Sequence, residues 1–249
     1  MSWSIKSYED NDELVDEMAP KIIAALLASI EKKGDASLVV SGGSTPRSLF
    51  NHLSKSDLPW SKVTVTLVDE RWVDEAHQDS NARLVKEHLL QNNAKAATFI
   101  SLTDLDAPSD EKKNNASKSK NSSAPFLSEK IIEEKISVIR KPFTVVILGM
   151  GADGHTASFF PGAATLEKAL YPQESQQCVA VTPPAAPHDR MTFTLPALLD
   201  CEHLMLHIVG VDKWRVLQKA IQPGAALELP IRAVLYQYKK ILEIFYAAK

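Results

Sequence analysis

The chain has 249 residues, 45% hydrophobic and 24% charged, with a formal net charge of −3 at pH 7. That length suffices for a substantial α/β core, and the weakly acidic balance supplies no global basic field for nucleic acid or an anionic membrane. The N-terminal stretch MSWSIKSYEDNDELVDE is acidic without the apolar centre of a secretory signal, and the longest wholly apolar run, residues 22–28, is far short of a membrane span. Cys178 and Cys201 lack metal-ligand spacing and read as two core thiols in a reducing, cytoplasmic setting.

Leu14, Met18, Ile22, Leu26 and Ile30 recur every four positions and predict an amphipathic helix, with a kink or restart expected at the interior Pro20. SLVVSGGSTPRSLFNHL then reads as a short strand, a Gly-rich turn and a helix. VTVTLVDERW (63–72) is β-branched and runs into charge at its C-terminal end. NARLVKEHLL predicts a helix, ATFISL a strand, residues 126–139 a second amphipathic helix, and TVVILGMG a buried strand. Further strands are expected at CVAVTP, RMTFTL, HLMLHIVG and KKILEIFYA, with a helix at DKWRVLQKAI. Strands alternating with helices, several apolar throughout, imply one doubly wound, mainly parallel, Rossmann-like sheet with helices on both faces. The whole chain, 1–249, reads as a single domain carrying a flexible polar insertion at 104–125. Within it, every residue of KKNNASKSKNSS (112–123) except Ala116 is Lys, Asn or Ser, too polar to bury surface that would offset its ordering entropy.

Three strand ends carry candidate chemistry. Gly42, Gly43, Ser44 and Thr45 form a turn whose N–H groups can converge at a helix terminus, with Thr45 as N-cap and Pro46 in the first helical position, an arrangement suited to phosphate. Asp69, Glu70 and Arg71 lie where VTVTLVDERW ends, at the sheet edge where ligands bind in parallel folds. In GMGADGHTASFFPG, Asp153 can orient a neighbour and His155 can move a proton near neutral pH. Arg190, just before a strand, and Lys213, just after one, are candidate cations for an anionic ligand. His203 and His207 share one face of a strand without a third ligand and read as structural, so no metal site is expected.

Together SGGSTP, DERWV…DSNARL, ILGMGADGHTASFFPG, RMTFTLPAL and GVDKWRVLQKA, in that order, resemble the 6-phosphogluconolactonase family over about residues 10–247. Asp74 departs from the family pattern, where a proline commonly follows, and the polar insertion is longer than usual. The resemblance implies metal-free, cofactor-free hydrolysis of 6-phospho-D-glucono-1,5-lactone, the second step of the oxidative pentose phosphate pathway. By that resemblance His155 is the base that activates water, Arg71 stabilises developing charge, Asp153 and Asp69 orient these two, and the Gly42–Thr45 turn holds the phosphate with Arg190 and Lys213. The related glucosamine-6-phosphate deaminases carry a glutamate five residues after the histidine; here that position is Phe160, which disfavours a deaminase. A non-catalytic phosphosugar sensor is disfavoured by the retention of Asp69, Arg71 and His155 together. The implied partner is a small phosphorylated sugar lactone, with neither nucleic acid nor membrane, and the implied assembly is a monomer or weak homodimer.

Overall fold

A computed structural model describes residues 3–104, 124–173 and 175–249. Most of the predicted polar insertion, residues 105–123, lies outside the described residues. Asp10 starts the first helix, α1 (Asn11–Lys33): its side chain accepts the N–H groups of Asp12 and Glu13, and Gly34 in the left-handed region ends the helix. Leu14, Met18, Ile22, Leu26 and Ile30 form its buried stripe, as the spacing predicts. The expected restart at Pro20 is absent. Pro20 faces solvent, and the stripe holds the helix to the core on both sides of it.

The main sheet contains β1 (Trp3–Tyr8), β2 (Ala36–Val40), β3 (Val63–Leu67), β5 (Thr98–Ile100), β6 (Phe143–Leu148), β9 (Cys201–Val209) and β10 (Leu242–Ala247). Its order is β1-β10-β9-β6-β2-β3-β5, and every pairing is parallel. All residues of β2 and β6 are buried. Because side chains alternate across a strand, both sheet faces are therefore covered, which explains why these strands read as continuous apolar runs. The remaining helices are α2 (Arg47–Ser54), α3 (Asn81–His88), α4 (Ala124–Ile136), α5 (Leu166–Leu170), α6 (Leu195–Leu199), α7 (Val211–Ile221) and α8 (Ile231–Leu235). Among the described residues no helix is long and apolar enough to cross a membrane. Cys178 and Cys201 are free and buried.

The predicted strand VTVTLVDERW is two strands in two sheets. Val68 donates its N–H to Val40 of the main sheet (2.8 Å), while its carbonyl accepts from Phe193 (3.0 Å). The chain then continues as β4 (Asp69–Arg71), which pairs antiparallel with β8 (Arg190–Phe193); β7 (Cys178–Val181) completes this second, three-stranded sheet. Two segments expected in the parallel sheet, CVAV and RMTF, thus belong here. The register sets Arg71 opposite Arg190.

Candidate active site

Strand order reverses between β2 and β6: from β2 the chain winds outward to β3 and β5, and from β6 to β9 and β10 on the other side. A crevice at the carboxyl ends of the strands is expected at such a point. A cavity of about 240 Å³ lies there, lined by Gly42–Thr45, Asp69, Arg71, Asn81, Gly149–Gly151, His155, His207 and Lys213 among others. Of the residues singled out in the sequence it brings together Gly42–Thr45, Asp69, Arg71, His155 and Lys213, whereas Glu70, Asp153 and Arg190 are not in its lining.

At the end of β2, the Ser41 hydroxyl donates to the Ile147 carbonyl (3.0 Å) and accepts from the Gly149 N–H (3.0 Å), fastening the two loops to each other. A Cβ on Gly42 would stand 1.8 Å from Asn81 Oδ1, so only glycine allows this approach. The first helical residue of α2 is Arg47, one later than expected, and the helix has no side-chain cap. Thr45 instead accepts a hydrogen bond from Lys213 Nζ (3.2 Å), in the first turn of α7. Burial pushes the Lys213 ammonium below the ordinary lysine range.

The loop after β6 is fixed at several points. Thr156 Oγ1 donates to the Gly149 carbonyl (2.7 Å), Ser158 Oγ to Asp69 Oδ2 (2.6 Å), and the Ile231 N–H at the start of α8 to the Gly154 carbonyl (2.9 Å). His155 Nδ1 lies 2.5 Å from Asp153 Oδ1, and this hydrogen bond holds the Asp153 carboxyl below the ordinary carboxylate range. With Nδ1–H directed at a carboxylate, Nε2 is left as the proton-accepting nitrogen. The ring of Phe160 lies 4.5 Å from that of His155.

On β4 the three charged residues separate by environment. Asp69 is buried; its carboxylate serves Ser158 on the histidine loop, and neither Arg71 nor His155 is bonded to it. Glu70, also buried, accepts from the N–H groups of Arg71 (2.6 Å), Asn81 (2.8 Å) and Ala82 (2.6 Å) and from Ser80 Oγ (3.2 Å). It caps the N-terminus of α3 and has no free oxygen to offer a substrate. Burial raises its carboxyl above the ordinary range. Arg71 points one guanidinium nitrogen at the Asp79 carbonyl (2.7 Å), while its Nε is buried without a partner.

Arg190 does not line the cavity. It is buried behind Phe160, 6.0 Å from that ring, with Nε and Nη1 unpartnered. Burial, followed by the charge of Arg71, lowers its pKa to about 10. His207, expected to be structural, also lines the cavity. Its Nε2 lies 3.0 Å from Asn11 Oδ1, Nδ1 is buried without a partner, and burial lowers its pKa to about 4. Its position near the carboxyl end of β9 was the available signal. Among the described residues Arg71, Arg190 and Lys213 form no ion pair, although the carboxylates of Asp69, Glu70 and Asp79 partly offset the charge around Arg190.

Residues 9–242 match the family described as glucosamine-6-phosphate isomerases/6-phosphogluconolactonase. The chain is 40% identical to the 6-phosphogluconolactonase of Rhizobium meliloti over 99% of its own length and 100% of the relative's. It is 37% identical to that of Neisseria meningitidis serogroup A, over 96% and 97%. The crystal structure of a 6-phosphogluconolactonase from Shewanella baltica superimposes with a TM-score of 0.88 at 40% identity, covering 98% of this chain and 97% of that one. The chain belongs to the glucosamine-6-phosphate isomerase/6-phosphogluconolactonase family.

Proposed function

We infer that this chain hydrolyses 6-phospho-D-glucono-1,5-lactone to 6-phosphogluconate. The family holds two chemistries, and the observation that separates them is Phe160, whose ring lies 4.5 Å from that of His155. A phenylalanine there offers no carboxylate for the ring-opening proton transfer of a deaminase. Lactone hydrolysis needs no such group, because a lactone is a reactive ester: a positioned base and stabilisation of the tetrahedral oxyanion suffice.

In this reading water lies at Nε2 of His155, which takes its proton as the oxygen attacks the lactone carbonyl. The imidazolium, held by Asp153, then returns a proton to the departing ring oxygen. Arg71 stabilises the charge that develops on the carbonyl oxygen, and Asp69 acts through Ser158 to hold the histidine loop. The phosphate occupies the Gly42–Thr45 turn, where Lys213 supplies the cation. Arg190, opposite Arg71, adds positive potential at the lactone end instead of gripping phosphate. No cofactor is needed in this scheme, and the protein acts in the cytoplasm as a monomer or weak homodimer; light scattering of the purified protein tests the assembly.

The deciding assay is lactone hydrolysis followed at slightly acidic pH, where background hydrolysis is lower than in alkali. Rapid turnover of the phosphorylated lactone, and none of glucosamine 6-phosphate, is expected. Deamination of glucosamine 6-phosphate, or lactone loss at the background rate, would overturn the assignment.

A further inference from the structure

Outside the cavity, the loop that follows β4 and the loop that precedes β8 meet through three side chains that the lactonase reading does not use. His188 Nε2 lies 3.1 Å from Asp79 Oδ2, and His77 Nδ1 lies 3.8 Å from the same oxygen. One donor atom from each residue lies within 4.8 Å of the other two. The two imidazole rings meet edge to face at 5.0 Å. Bonds of about 2.0–2.2 Å to zinc at the corners of a tetrahedron set donors roughly 3.3 Å apart, close to the two spacings to Asp79. His77 is exposed, and His188 and Asp79 are half-buried, so a fourth position remains open to solvent.

We propose that His77, Asp79 and His188 form a binding site for a borderline divalent transition ion of the zinc type. Two imidazoles and one carboxylate are the donor set such an ion favours; calcium and magnesium require oxygen ligands throughout. His77 Nδ1 now accepts the Asp79 N–H (3.1 Å), and the ion replaces that contact. The site does no chemistry on the lactone. It clamps the two loops that lead out of β4 and into β8, and Asp79 also holds Arg71 through its carbonyl (2.7 Å). Bound metal therefore braces the segment that orients Arg71.

The test is titration of chelator-stripped full-length protein with Zn²⁺ by calorimetry, with Co²⁺ as a spectroscopic probe. His188 has a φ of +69°, a conformation that asparagine tolerates well, so His188→Asn preserves the loop while removing the imidazole; His77→Gln is the second variant. The expected result is one equivalent of Zn²⁺ per chain, visible Co²⁺ bands of a four-coordinate site, and at least tenfold weaker binding in each variant. A wild-type protein that takes up no stoichiometric ion overturns the proposal. So does binding of equal strength in both variants, which would assign the ion to other surface groups.

Discussion

Asp153 Oδ1 and His155 Nδ1 stand 2.5 Å apart, in a loop that is also hydrogen-bonded to Gly149, Asp69, Thr192 and α8. The pair is thus held by its surroundings, and the basic nitrogen of His155 has a fixed direction. A general base contributes about 10²–10⁴-fold to rate. His155→Ala and His155→Gln are expected to lower kcat by that factor in protein that still folds and binds 6-phosphogluconate. Near-wild-type kcat in either variant would move the base elsewhere. Asp153→Asn is expected to lower kcat with little change in product affinity, since an amide no longer selects the productive tautomer.

The two cations expected to grip phosphate should behave differently. Lys213 bonds to Thr45 inside the cavity, whereas Arg190 lies behind Phe160. Contacts made equally in ground and transition states appear in KM. Lys213→Ala is therefore expected to raise KM for the phosphorylated lactone and reduce its preference over unphosphorylated gluconolactone. In Arg190→Ala the larger loss should fall on kcat. Equal KM increases in both variants, with kcat intact, would return Arg190 to the phosphate.

Glu70→Gln tests the capping role. The carboxylate receives three N–H groups and a hydroxyl, and an amide has one acceptor oxygen to replace two. Leaving buried donors unmet costs about 1–3 kcal/mol, so urea denaturation should show a stability loss of that order. An unchanged midpoint would exclude Glu70 as the anchor of α3.

His207 carries a pH signature of its own. The unfolded chain takes up this proton near an ordinary imidazole pKa of about 6.5, the folded chain only near about 4. Between those values the unfolded state binds more protons, so stability falls as the solution is acidified. From pH 7 to pH 5 the loss through this group is about 2 kcal/mol. Denaturant curves at the two pH values should show a correspondingly smaller acid loss for His207→Gln. Identical losses in the two proteins would mean that His207 is not held neutral.

Apolar periodicity made α1 and the parallel strands legible, because burial on one stripe or on both faces leaves a repeat in the sequence. The strand β1 went unseen: its WSIKSY is an edge strand of mixed burial without a clean alternation. The helices α5, α6 and α8 have five residues each, too few to establish a period. The transfer between sheets at Val68 leaves no compositional mark, since one residue performs it with its two backbone groups. Among candidate site residues, Asp69, Arg71, His155 and Lys213 meet in one cavity as the sequence order suggested. Glu70 was opaque for a different reason: a carboxylate that caps a helix eleven residues downstream looks, in sequence, like a free acid beside the reaction.

The joints of the cavity are distant along the chain: Ser158 and Asp69 are 89 positions apart, and Lys213 and Thr45 are 168 apart. Such non-local pairings close late in folding, because the entropy of the long intervening loop must be overcome before the contact rewards it. As the chain emerges from the ribosome, the turn at Gly42–Thr45 is made well before the lysine that faces it. A nascent or truncated chain ending before α7 thus has the turn and the histidine but not that lysine. Recovery of affinity for the phosphorylated lactone during refolding is then a late reporter, trailing the appearance of helical structure.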